Sequence, residues 1–377
     1  LGDGVRALAL KWARLTRTKI DELAVSWDLP LLTAPSTKGA FRVDWHDSEA
    51  RATVITEIAT KVLHVVDVIR HRLREVHSGK RKWFLKRCRH LLKVISNDLE
   101  TDEAGNLVVA RRVARDRLIS MTDPHARHGR KSKSGTFNGF KAHVFGDVVS
   151  GLIASVAVTV GNKHDGAVAH RLVRRAKDLC RHIDLVLADT AYSGAQLRHL
   201  LRRATNVDVI APPPPRTALR DGKLGRSDIE IDFSSNTATC VAGVQTSRST
   251  LSWSTDYGAH FRIYKWPKEA CDSCSRREAC RGKQTGGHRV PLHPFEEELR
   301  AARRQWNTLG VRDIYRARSQ CERLVNQITR HGGRRARAWG IGAARMQVHL
   351  IAMKCNLALL ARRIAAAEGH DQALGAA

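Results

Sequence analysis

Leu185-Val186-Leu187-Ala188-Asp189-Thr190-Ala191-Tyr192 joins a short apolar run to a carboxylate and a small-residue turn. A run of this length, bounded by turn residues, reads as a buried strand. A strand that ends in Asp holds its carboxylate rigidly, which suits a metal site. Alone, Asp189 reads as a turn-starting Asp after a strand, and only its company makes it a metal ligand. Far downstream, Tyr315, Arg318 and Glu322 stand three and four residues apart, so a helix over 311–329 puts all three on one face. Alone, Glu322 is a surface partner of Arg318, worth under ~1 kcal/mol.

Around the Asp189 strand the pattern is α/β. Leu118–Thr122, Phe140–Phe145 and Gly151–Val160 read as three consecutive strands, with a tight turn from Asp147 to Gly151 between the last two. A helix from Ala167 to Leu179 follows, then the strand at 184–188, a helix near 194–203 and a strand at Val207–Ile210. Three strands, helix, strand, helix, strand is the order of a ribonuclease H-like mixed sheet with helices on both faces. Active sites of such sheets gather at the carboxyl ends of adjacent strands, where Asp189 falls.

Four domains are expected on this reading. Residues 1–106 form a helical region, with apolar stripes at Val62–Leu73 and Phe84–Ile95 and an acidic, turn-rich linker from 98 onward. Its basic polar faces suit either a solvated bundle surface or a surface that holds DNA. Residues 107–216 are the first part of the core. Residues 217–295 are a small β insertion, with alternation at Ile229, Ile231 and Phe233. Residues 296–377 are helices that complete the core, and the last is expected to bury Met346, Leu350, Met353, Leu357, Leu360 and Ile364.

The chain has 377 residues, 65 Lys+Arg and 37 Asp+Glu, for a formal charge of +28. That excess implies a polyanionic partner, and double-stranded DNA is the first choice. Aromatics make up 5%, which argues against a base-stacking single-strand binder. No apolar run reaches spanning length and no leader pattern opens the chain, so the expected setting is cytoplasmic, at the nucleoid, with no membrane partner.

Asp189 and Glu322 are carboxylates of the kind that hold Mg²⁺, and a pair of such ions would need a third acid. Eight cysteines in a reducing compartment are thiols or metal ligands rather than disulfides. Cys271, Cys274 and Cys280, preceded by Cys240, have a spacing that fits a structural Zn²⁺; a packed set of thiols is the alternative, and His288 and His293 are substitute ligands. Cys88, Cys180, Cys321 and Cys355 lie on helical patterns and read as core. Two basic clusters, one with Arg127, Lys131 and Lys133 and one with Arg330, Arg334, Arg335 and Arg337 beside Trp339, suit contacts to DNA phosphates; a solvated loop is the alternative for the first.

An ordered series of segments now carries a family resemblance: Asp123-Pro124-His125-Ala126-Arg127, Phe137-Asn138-Gly139-Phe140-Lys141-Ala142-His143, Asn162-Lys163-His164-Asp165, Ala188-Asp189-Thr190-Ala191-Tyr192, the Cys271 cluster, Tyr315 through Glu322, and Asn356-Leu357. The series resembles a DDE transposase of a bacterial insertion sequence, of the subgroup with a cysteine cluster before the catalytic Glu, over about residues 115–365. The resemblance implies metal-dependent DNA strand cleavage and transfer by two-metal in-line chemistry. Asp189 would be the second metal-binding Asp and Glu322 the final Glu. Tyr315 and Arg318 would contact DNA, and an oligomer on DNA is among the expectations. The position seven residues past Glu322, where the signature carries Lys, holds Thr329, with Arg330 next. The first Asp is either Asp123 or a residue upstream of Leu1. In the second case the chain is an N-terminally truncated copy, and the alternative function is an inactive remnant that binds DNA non-specifically.

Overall fold

A computed structural model describes residues 1–103, 105–131, 134–179, 182–214, 224–281 and 287–375. Lys133 and Cys180 lie outside the described residues. The fold is a mixed α/β one of helices and small sheets. The chain divides into two compact units, one of Leu1–Ala142, Val158–Lys163 and Arg335–Val348, the other of His143–Ala157, His164–Arg334 and His349–Ala377.

In the first unit, α1 (Gly2–Thr16), α2 (Ile20–Ser26), α3 (Ser48–Arg72) and α4 (Ser78–Asp98) share one apolar core. The stripes read from the sequence supply it. Val62, Val65, Val66, Ile69 and Leu73 are buried from one side, and Phe84, Cys88, Leu91, Val94 and Ile95 from the other. Phe84 meets the Trp12 ring edge-on at 5.5 Å, an arrangement that the ring quadrupoles favour. Burial pushes the Cys88 thiol up to about 11.

The acidic stretch after α4 is not a plain linker. It is an antiparallel hairpin of β1 (Leu99–Thr101) and β2 (Leu107–Val109), fastened to α3 because Leu107 N–H donates to the Thr56 hydroxyl at 2.8 Å. Leu118–Thr122, expected as a strand, is irregular. Met121 packs on the helical core of this unit instead, and Leu118 is buried.

The next strands form one sheet in the order β3 (Arg127–Arg130), β4 (Thr136–Gly146), β5 (Ile153–Val160). The tight turn before β5 has its cause in two residues. Asp147 accepts the N–H groups of Val149 and Ser150, and Gly151 takes φ +68°.

In the second unit, α5 (Ala169–Leu179) leads to β6 (Leu185–Leu187), α6 (Ala195–Thr205) and β7 (Asp208–Ile210). Strands β6 and β7 pair in parallel, as a crossover through a helix requires. Val173, Val186, Leu201, Val207 and Val209 make their core, and Phe145 of β4 packs against it. The described strands fall into separate two- and three-stranded sheets.

The β insertion contains β8 (Glu230–Asp232), β9 (Thr237–Thr239) and β10 (Gln245–Thr246) in one antiparallel sheet, and β11 (Ser249–Ser254) and β12 (Ala259–Lys265) in a second. The short helices α7 (Lys268–Asp272) and α8 (Arg277–Arg281) follow, and β13 (Arg289–Pro291) closes the second sheet. The buried core is small, chiefly Ile229, Ala238, Tyr264, Trp266, Val290 and Leu292.

Four helices end the chain: α9 (Glu296–Trp306), α10 (Val311–Arg316), α11 (Ser319–Ile328) and α12 (Ile341–Gly375). The single helix expected over 311–329 is broken at Ala317–Arg318, so Tyr315 and Glu322 lie on different helices. The last helix also departs from expectation. The face carrying Val348, Ile351 and Cys355 is buried, whereas Met346, Leu350, Met353, Leu357, Leu360 and Ile364 are exposed.

Candidate active site

Asp189 stands two residues past the end of β6, with extended backbone at φ −80°, ψ 179°. Its carboxylate accepts the N–H of Ala191 at 2.9 Å and so starts the turn Thr190–Tyr192. The small residues after Asp189 make that tight turn easy. Tyr192, at its end, faces β4, and its hydroxyl lies 3.1 Å from Nδ1 of the buried His143. Burial pushes the Tyr192 phenol up, and the negative charges of Asp165 and Asp189 push it further in the same direction. Asp165 and Asp189 therefore share one electrostatic neighbourhood around that ring.

The turn is also held from α6. Arg198 is 6% exposed, and its guanidinium donates to the carbonyls of Ser193 at 3.1 Å, Val209 at 2.6 Å and Ala211 at 2.9 Å. One cation thereby ties the turn after Asp189 to the end of β7. Burying it is tolerable because its donors meet carbonyl oxygens.

The other half of the site is positioned in steps. Glu298 of α9 pairs with Arg202 of α6 at 3.2 Å, which fixes α9 beside the parallel strands. Trp306, the last residue of α9, meets the Tyr315 ring edge-on at 4.9 Å. Arg318 lies over the other side of the signature, 5.7 Å from the Tyr315 ring, and donates to Glu322 Oε1 at 2.8 Å. Leu324 of α11 sits against Gly146 at the end of β4. A Cβ on Gly146 would clash with Leu324 and stand 2.8 Å from the Leu152 carbonyl, so a side chain does not fit there.

Charge connects the two halves. Burial alone would lower the Arg318 pKa, but Tyr315, Glu322 and Asp189 outweigh it and raise it. The Tyr315 phenol is raised by burial and by Asp189, against the opposing pull of Arg318. Arg318 thus lies under the influence of both acids named from the sequence, though 133 positions separate Asp189 from Glu322 in the numbering. The Glu322 side chain is 69% exposed, open to solvent beside its arginine.

Asp123 lies in the other compact unit and is 5% exposed. Its two carboxylate oxygens accept the N–H groups of His125 at 3.1 Å and Gly340 at 3.0 Å. That is the bonding of a structural turn residue. Arg127 is likewise turned inward: it pairs with Asp116 at 3.0 Å and donates to the carbonyls of Pro124 and Ala126. Lys131, Arg330, Arg334, Arg335 and Arg337 are exposed, as is Trp339 at 73%.

Cys240, Cys271, Cys274 and Cys280 are in no disulfide, and all four line one cavity of about 30 Å³ together with His288. Cys274 Sγ accepts the N–H of Arg276 at 3.4 Å. His293, the other substitute ligand, has its Nδ1 taken by Phe295 N–H at 3.0 Å and its ring against Tyr257. Among the described residues, no three His, Cys, Asp or Glu side chains stand in a ready-made metal-holding group.

His143, Asp165 and Arg198 were given no role from the sequence. The first two fall inside the quoted motifs, which is the signal that marks them. Arg198 sits in a run of basic residues that looks like any solvated helix face.

Among the described residues, no helix is long and apolar enough to cross a membrane. No curated protein and no solved structure matches the chain. Residues 239–361 match a family described as "Transposase DDE domain", a span that holds the cysteine cluster, Tyr315, Arg318 and Glu322, and this match supports a DDE transposase.

Proposed function

We propose that the chain is a DDE transposase that cleaves and joins DNA strands at insertion-sequence ends, with Asp189 and Glu322 as its metal-holding carboxylates. The observation that carries the reading is the placement of Arg318, bonded to Glu322 and within reach of the Asp189 charge. An arginine bonded to one acid and under the charge of the other suits a phosphodiester, because the guanidinium fork matches phosphate oxygens. Tyr315 offers a hydroxyl on the same side. Oxygen donors of this kind fit Mg²⁺, which when bound activates the attacking oxygen and neutralises the leaving one. The third acid is open: Asp123 would first have to give up two backbone partners.

The exposed arginines at 330, 334, 335 and 337, with Lys131, would grip the DNA backbone, and Tyr315 and Arg318 the reacting phosphate. Lys133 belongs to the same cluster. Arg127 contributes less to that grip, since its guanidinium already serves Asp116 and two carbonyls. Work on chromosomal DNA would place the protein at the nucleoid. The four cysteines around the small cavity would hold a structural Zn²⁺, because sulfur ligands at this spacing suit that ion.

The test is nicking of supercoiled plasmid in Mg²⁺. The protein should nick, while Asp189→Asn and Glu322→Gln each lower nicking at least 100-fold and leave plasmid binding in a gel-shift within a factor of two. Equal nicking by both variants would end the assignment.

A further inference from the structure

We propose that Tyr192 and His143 are positioning residues that set the distance between Asp189 and Glu322, by tying the Asp189 turn to the strand that also seats the Glu322 helix. The inference rests on the reading of those two acids as metal holders. All its residues lie in the second compact unit. Asp189 is exposed, and one of its carboxylate oxygens accepts the Ala191 N–H. Where the other oxygen points is therefore set by how the turn Thr190–Tyr192 is held. Strand β6 holds one end of it. The Tyr192 side chain holds the other, through a hydroxyl 3.1 Å from Nδ1 of His143. Arg198 grips the next residue, but it ties the turn to β7, in the same small sheet as β6.

The far end of the tie is β4. His143 is 4% exposed and shares a face of that strand with Phe145, which packs against the core under β6 and β7. The phenol keeps its proton, because burial and the charges of Asp165 and Asp189 push it up, so it can donate to Nδ1. A buried strand residue has its rotamer locked by packing, which makes it a firm anchor. Among the described strands, β4 and β6 belong to separate sheets. No ladder of backbone bonds sets their register, so side chains must.

Three residues along β4 from His143 stands Gly146, the seat of Leu324. Leu324 is buried on α11, two residues past Glu322. One strand thus carries an anchor for each acid, His143 for Asp189 and Gly146 for Glu322. The anchors are about 10 Å apart at ~3.3 Å per residue, and an extended strand does not stretch. Residues that orient a metal-holding side chain typically matter about 10–100-fold in metal affinity.

Mn²⁺ binding to the full chain without DNA, followed by the paramagnetic resonance of the free ion, tests this. Mn²⁺ takes the same oxygen ligands as Mg²⁺. The wild type should hold a site that Asp189→Asn and Glu322→Gln each remove. Tyr192→Phe keeps the ring and loses only the hydroxyl. It should weaken that site about 10-fold or more, with the melting temperature within ~3 °C of the wild type. In a His143→Leu background the same change should cost less than about twofold more, since one bond carries both effects. Unchanged affinity in Tyr192→Phe, with the site still lost in Asp189→Asn, overturns the positioning role and leaves the metal reading standing. Costs that simply add in the double variant overturn the pairing. A weakened site that comes with a larger fall in melting temperature marks the pair as fold support and also overturns the role. A wild type with no site that depends on Asp189 overturns the metal reading, and this inference with it.

Discussion

At the scale of single residues, the account depends on how the carboxylates are held. Asp189 starts a turn, and that turn is stitched in place by Arg198. Replacing Arg198 by Met would leave three carbonyls without their donor in a buried place. The expected loss is about 2–4 kcal/mol, read from urea unfolding, with Arg198→Lys restoring only part of it. A loss below ~0.5 kcal/mol for Arg198→Met would show that the stitching is not needed. Nothing in the sequence marks this residue. A buried arginine and a solvated one look alike in a basic helix, and the difference lies in which carbonyls the fold brings near. Asp123 shows the converse. Its position after an apolar run suggests an active acid, but whether a carboxylate is spent on N–H groups depends on Gly340, more than two hundred residues away.

At the scale of elements, periodicity served well where one face of an element is buried and the other is wet. Helix α5, strands β6 and β7 and the stripes of α3 and α4 follow the pattern closely. It failed for α12, which is apolar on two faces, because the pattern alone does not say which face the fold takes. It also missed the break between Tyr315 and Glu322, where helical spacing continues across a turn at Ala317–Arg318. The β insertion has a core too small to be comfortable without help, and four thiols around one cavity are suited to give it. Metal analysis of protein purified without chelator should find about one Zn²⁺ per chain. Cys274→Ser should lose the metal and lower the melting temperature. A stable wild type with no zinc would rule the site out.

At the scale of the molecule, a charge of +28 and an Arg318 that feels the charges of both Glu322 and Asp189 point to one class of chemistry. The charge draws DNA in from a distance, and salt weakens that attraction. Charge does not select the bond to be cut; two acids sharing a metal would. The most direct measurement is therefore where a metal sits. With Fe²⁺ and ascorbate, hydroxyl radicals cut the polypeptide beside the bound ion. The account predicts two cuts, one near residue 189 and one near 322, both suppressed by excess Mg²⁺ and both absent in Asp189→Ala. Cuts confined to the cysteine cluster, or cuts near 322 that persist without Asp189, would contradict it.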